Sequence, residues 1–271
     1  MPVTEVGCMG VKPGLDVMDD TTEAGQILTH AYKTVITAPG GPYRAYWGVE
    51  IEANVAAAEE TDVRPSDGPK LWAFFDFDSV EHHEKFANGP GRDAVKDLPK
   101  ILTHSVFSKH VVVTPFPPLV LLSPVTEVML AYFPSDISPA GKDAASARFE
   151  RFADVALSQC EDVKGVGCGW GVETDFPIRG AATEAEEEAE AEAEEEAEAE
   201  EEVEAEGGRW TGALFIAFIG WPSVGAHMAF RKTDAFKENV HLITGMDGVV
   251  SLVMLHVKCR GLERREPMRT E

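Results

Sequence analysis

Two histidines stand at matched points of a repeated stretch. Lys70 to Phe86 reads KLWAFFDFDSVEHHEKF, and Gly212 to Phe230 reads GALFIAFIGWPSVGAHMAF. Ser79, Val80, His83 and Phe86 return as Ser223, Val224, His227 and Phe230, each 144 positions later. An imidazole titrates near neutrality, which suits it to take a proton from a phenol or an activated methylene. His83 and Asp76 are the candidate catalytic groups. Asp76 interrupts an apolar strand where the second copy has Ile219 or Phe218. A carboxylate there needs exposure at the strand end or a partner, and Arg44 is one on offer. Tyr46, Trp47 and Trp72 are candidate walls for a flat ligand. His110 joins them as a substrate-binding candidate, sharing a strand face with Ser108 and Val112. A structural reading competes at each position, because strand aromatics fill cores and a histidine one turn into a helix can bond to backbone.

Counted at the same offset, His104 and His110 correspond to Gly248 and Met254, so they read as residues of a pocket that the fold does not require. His227 is expected to matter less than His83, since the second copy lacks Asp76. Glu50 and Glu173 repeat near strand ends. The histidines show no spacing that would make metal ligands converge, and no metal is expected. No phosphate loop, dinucleotide fingerprint or nucleophile elbow occurs, so no cofactor is expected.

These residues need elements to hold them. Pro2 to Val11 reads as a strand, and Lys12-Pro13-Gly14 ends it. Ala24, Ile27, Leu28, Ala31 and Val35 give the stripe of an amphipathic helix, stopped at Ala38-Pro39-Gly40-Gly41-Pro42. Tyr43 to Ile51 is a second strand, and Ala53 to Pro69 a polar loop. Leu71 to Phe75 is apolar on both faces, as in a strand covered on both sides. Asp78 or Ser79 caps the next helix. Ser105 to Val113 is a β-branched strand. The order is β-α-β-β-α-β.

The pattern then restarts. Pro2-Val3-Thr4-Glu5-Val6 recurs as Pro124-Val125-Thr126-Glu127-Val128, and Trp47-Gly48-Val49-Glu50 as Trp170-Gly171-Val172-Glu173. A helix is expected from about Lys142 to Cys160. The boundaries follow: 1–114 is a first half, 115–123 a Pro-rich linker, 124–260 a second half with an acidic insertion at 183–207, and 261–271 a charged tail. The expected fold is α+β: two tandem ferredoxin-like βαββαβ repeats packed sheet to sheet.

The 271 residues are 44% hydrophobic, enough for a sizeable core, and carry a net charge of −23. That charge is local. Residues 184–206 hold 15 glutamates; without them 32 acidic residues face 24 basic ones, a net −8. No basic patch suggests a nucleic-acid partner, and no apolar run is long enough to span a bilayer. Four scattered cysteines and the lack of a signal-peptide pattern suit the cytoplasm.

The aromatic-Trp-Gly-Val-Glu strand at Tyr46 to Glu50, and the Leu71-Trp72 strand running into Asp78-Ser79-Val80, His83 and Phe86, resemble the dimeric α/β-barrel superfamily in its antibiotic-biosynthesis-monooxygenase branch. The pattern is most similar to fungal proteins with two such domains in tandem. The resemblance covers both halves apart from the insertion and the tail. It implies an intramolecular dimeric α/β barrel, a monomer with an internal pseudo-dimer, and a cavity between sheet and helices. It also implies a cofactor-independent monooxygenase or cyclase acting on a small aromatic or polyketide-like molecule. The alternative is a non-catalytic ligand-binding or stress-response protein.

Overall fold

The computed structural model describes residues 1–51, 69–179 and 210–264. The acidic tract, most of the polar loop after Ile51 and most of the charged tail lie outside the described residues. The first half contains β1 (Val3–Val11), α1 (Glu23–Thr37), β2 (Arg44–Ile51), β3 (Lys70–Phe77), α2 (Val80–Ala87), α3 (Pro90–Ala94) and β4 (Leu102–Thr114). The second contains β5 (Val125–Phe133), α4 (Pro139–Val155), β6 (Gly165–Gly171), the short β7 (Phe176–Pro177), β8 (Thr211–Trp221), α5 (Val224–Phe230), α6 (Asp234–Asn239), α7 (His241–Thr244), β9 (Ser251–Val257) and β10 (Arg260–Glu263).

The strands pair antiparallel in the order β2-β3-β1-β4-β6-β8-β5-β9, and β9 returns to β2, closing an eight-stranded barrel within one chain. The seams are β4 on β6, with Val111 opposite Gly171, and β9 on β2, with Val257 opposite Glu50. Closure brings backbones together at two glycines. A Cβ on Gly48 would lie 2.4 Å from the Lys258 carbonyl oxygen, and one on Gly169 would lie 1.7 Å from that of Val112. Only a residue without a side chain fits either place.

Alternation along each strand sends one set of side chains inward and the next outward. Inward go Val6, Cys8, Tyr46, Trp72, Phe74, Val128, Leu130, Tyr132, Ile216 and Phe218, which fill the barrel as one core. Outward from the first half go Val11, Ala45, Trp47, Leu71 and Ala73, covered by Leu28, Ala31 and Tyr32 of α1. Outward from the second go Met129, Phe133, Phe215 and Trp221, covered by Phe149 and Phe152 of α4 and by Phe230 and Ile243. A strand buried on both faces reads as an unbroken apolar run, as β3 and β8 do.

The segment between the halves does more than link them. Leu119–Leu122 forms a single 3-10 turn, and Leu121 is wholly buried in the barrel core. Helix α4 begins at Pro139, three residues ahead of the expectation, because Ser138 caps it by accepting from the Gly141 N–H and proline suits the first turn. No helix among the described residues is long and apolar enough to cross a membrane.

Candidate functional site

The site in the first half is built from three neighbouring elements and one segment of the other half. Glu5 points outward from β1 and lies opposite His110 of β4. Ser79 caps α2 by accepting from the His82 N–H, and this places His83 in the first helical turn over the same outer face. Phe77 packs against the His83 ring at 4.9 Å between centroids.

The side chains form one line of polar contacts. His83 Nε2 is 3.1 Å from Glu5 Oε2. His83 Nδ1 is 2.8 Å from His110 Nε2. His110 Nδ1 is 2.6 Å from Glu173 Oε1, and the His110 backbone N–H donates to Glu173 Oε2 at 2.9 Å. Ser108 donates its hydroxyl to Glu5 Oε1 at 2.5 Å. Two hydrogen bonds link His83 to His110 and His110 to Glu173, and Glu5 stands at ion-pair distance from the outer nitrogen of His83, in a site partly open to water. Burial lowers the His83 pKa, and Glu5 works against that shift. Burial pulls Glu173 upward, but its bonds from His110 outweigh this and hold it below the usual carboxylate range.

The second half repeats the arrangement. Glu127 lies opposite His256 on β5 and β9. His227 Nδ1 is 2.8 Å from His256 Nε2, and His227 Nε2 is 3.4 Å from Glu127 Oε2. Two exchanges distinguish the copies. Trp221 stands where the first half has Phe77; it stacks on His227 and donates its indole N–H to Glu127 at 3.1 Å. Met254 stands where Ser108 caps Glu5. Burial raises the pKa of Glu127 and lowers those of His227 and His256, favouring the uncharged form of each. A cavity of about 20 Å³ adjoins Glu127 and His227 under α6 and α7.

The expected counterparts need correction. In the strand pairing His110 answers to His256, 146 positions on, not to Met254. It is thus part of a repeated pair. Asp76 answers to Gly220, since Thr4 faces Asp76 and Thr126 faces Gly220. Ile219 and Phe218 are its neighbours.

The proposed site residues fall into three places. His83 and His110 meet. Asp76, Tyr46 and Trp72 point into the barrel, on the opposite face of the sheet from His83. Asp76 is fully buried, accepting from the Thr4 hydroxyl at 2.8 Å and the Tyr46 hydroxyl at 3.2 Å. Burial lifts its pKa to about 6 against those two bonds. The Arg44 side chain bonds to Glu263, not Asp76. Trp72 packs against Phe74 and Phe107, gives its N–H to Glu50 at 2.7 Å and lies under the Arg179 guanidinium. Trp47 points outward but is buried against Tyr32 beneath α1. The single space lined by His83, Asp76 and the aromatics is therefore two regions separated by a sheet.

Sequence spacing alone does not pair Glu5, Glu127, Glu173 or His256 with the two helix histidines. Glu5 and Glu127 sit inside the repeated Pro-Val-Thr-Glu-Val, an available signal for a carboxylate at both sites. Among the described residues no cluster of His, Cys, Asp and Glu is arranged to hold a metal ion.

No protein-family model matches the chain, and no curated protein sequence does either. Solved structures do. An anthrone oxidase-like protein aligns over 100% of this chain and 96% of its own, with a TM-score of 0.58 and 14% identity. A Fusobacterium nucleatum protein provisionally named a monooxygenase aligns over 97% and 94%, with a TM-score of 0.54 and 9% identity. A Lactobacillus acidophilus protein of the same provisional name aligns over 97% and 96%, with a TM-score of 0.51 and 11% identity. The likeness is one of fold: a mixed α/β chain whose closed antiparallel barrel is that of the dimeric α/β-barrel type.

Proposed function

We propose that the chain is a cofactor-independent enzyme of monooxygenase or cyclase type, which removes a proton from a small phenolic or enolic molecule. The observation that carries this reading is the line Glu5–His83–His110–Glu173. A substrate hydroxyl or activated C–H takes the place of Glu5 against His83 Nε2 and gives up its proton there. The proton on His83 Nδ1 passes to His110 Nε2, and the one on His110 Nδ1 passes to Glu173. The substrate is left as an anion, and the positive charge is spread into a carboxylate. In the oxygenase case the carbanion gives its electron pair to dioxygen; the carbon keeps one oxygen atom as a carbonyl and the other leaves as water. In the cyclase case the carbanion attacks a carbonyl of the same molecule. The names of the structural neighbours support the oxygenase form.

The same reading takes residues 1–114 and 124–260 as tandem ferredoxin-like repeats of the antibiotic-biosynthesis-monooxygenase kind, in the fungal two-domain arrangement, working as a cytoplasmic monomer. His83→Gln keeps a hydrogen-bonding side chain but removes the base. Turnover, followed by oxygen uptake on a panel of quinols and phenols, should fall ~10²–10⁴-fold with the circular dichroism spectrum unchanged. Unchanged turnover would overturn the mechanism. A second reading, ligand binding without turnover, is favoured by one observation. Trp47, Trp72 and Phe74 are packed as core, at 3%, 0% and 0% exposure. A thermal shift with a phenol that is never consumed would select it.

A further inference from the structure

Strand pairing sets Met254 of β9 and Glu127 of β5 on one outer face as diagonal neighbours, since Met254 faces Met129 and Glu127 faces His256. Long side chains meet at that spacing. The first half shows what a residue at this position can do. Ser108 stands there, two residues before His110, and donates to Glu5 Oε1 at 2.5 Å, while His83 faces Oε2. Each oxygen of Glu5 thus has its own partner. In the second half Trp221 and His227 both reach one oxygen, Glu127 Oε2, at 3.1 and 3.4 Å. A thioether is only a weak acceptor, so Met254 does not replace the serine. Met254 is 44% exposed and Glu127 3%, and both line a space of about 20 Å³, room for one water-sized atom.

We propose that Met254 is a peroxide-responsive modification site, and that its sulfoxide oxygen accepts a hydrogen bond from the Glu127 carboxyl. The thioether sulfur attacks one oxygen of hydrogen peroxide. The S–O bond forms as the O–O bond breaks, and sulfur gives up two electrons. The proton on the transferred oxygen goes to the departing hydroxide, which leaves as water. Exposure selects the residue, because Met129 directly opposite and Met246 nearby are only 1% and 3% exposed. The product carries a polar acceptor in place of an apolar sulfur, and sulfoxide reductases reverse the change. One added oxygen atom matches the space beside Glu127. Burial favours the acid form of Glu127, so the carboxyl has a proton to give. The titratable groups around it are His227 of α5 and His256 of β9, both held uncharged by burial, and Arg231 just beyond α5, whose guanidinium lies over Phe236.

The site is independent of His83, so its test reads modification and hydrogen bonding rather than turnover. The full chain, ¹⁵N-labelled at its tryptophan indoles, is treated with hydrogen peroxide, and oxidised methionines are located by peptide mass mapping. Met254 should react about tenfold faster than Met129 and Met246, as reactivity follows exposure. Met1, also open to solvent, is the reactive control. The Trp221 indole N–H donates to Glu127, so its resonance follows that carboxyl as pH is varied through neutrality. On oxidation its midpoint should rise by about 0.5–1 pH unit, the effect of one added hydrogen bond to the acid form. Sulfoxide reductase should restore the first midpoint. Met254→Leu should abolish the shift, Met254→Gln should raise the midpoint without peroxide, and His83→Gln should change none of this. Equal reactivity of Met254 and Met129 in the native chain would overturn the assignment. So would an unmoved Trp221 midpoint after complete oxidation of Met254, and neither comparison needs a variant to fold.

Discussion

His110 joins the two halves at a single imidazole: one nitrogen faces His83 of its own half, and the other faces Glu173 of the opposite half. Glu173 is therefore a positioning residue in the proposed reaction. Glu173→Gln leaves an amide that still accepts from His110 but no longer draws positive charge onto it. Turnover should drop about tenfold or more, and the acid limb of the pH–rate profile should move, which a purely structural role would not produce. Asp76 supplies a different pH effect. Its folded pKa, about 6, lies above the ordinary value of 3.8. The folded state thus favours the protonated acid, and the stability it contributes is full below pH ~4 and lost as pH rises through 6. Asp76→Asn keeps a partner for the Thr4 and Tyr46 hydroxyls. It should raise stability at pH 8 by about 3 kcal/mol, given roughly 1.4 kcal/mol per pKa unit, and flatten the dependence between pH 4 and 6. Denaturation with urea across that range would measure it.

Helices and strands were legible in the chain, because α1 has its apolar stripe and each β-α-β-β-α-β pattern breaks at Gly or Pro. Two features of the site were not. In β3, LWAFFDF, both faces are apolar, so alternation cannot say which face looks into the barrel. Asp76 and His83 therefore read as neighbours although a sheet divides them. In β4 and β9 the counterpart of His110 is displaced by two residues from the count along the sequence, and β1 meets β4 with shifts in register beyond Cys8. An even displacement keeps every side chain on its face. The fold tolerates it, and a letter-by-letter comparison misses it. Proline content marks 115–123 as a linker but does not reveal that Leu121 is a core residue. Leu121→Ala should cost about 2–5 kcal/mol, the range for emptying a buried leucine site, visible as a lowered urea midpoint at constant slope. At the seam, Gly169→Ala should be worse tolerated than an alanine at the open Gly14, although Gly14 has a φ of +78°. Comparing the two melting temperatures tests whether closure or turn geometry governs.

At the scale of the molecule, the barrel seams and the Glu173 contact make each half part of the other's structure. Residues 1–114 expressed alone leave β2 and β4 each with one open edge and expose the inward apolar face. They should aggregate or self-pair, as seen by sedimentation, while the whole chain stays monomeric. The acidic tract should matter far less. The ends of the segment that contains it are adjacent, since the Ile178 N–H donates to the Trp210 carbonyl at 2.9 Å. Replacing 180–209 by a short glycine-rich turn should leave the thermal midpoint nearly unchanged.

Strand β10 pairs with β2, Arg260 opposite Trp47 and Glu263 opposite Arg44. Arg264 then donates to the Ile36 and Ala38 carbonyls at the end of α1. The edge it covers is made early and the cover late, with roughly 200 residues between them. At ribosomal speeds of 5–20 residues per second, that edge emerges from the ribosome about 10–40 s before its partner exists. The nascent first half spends that interval with this strand edge open.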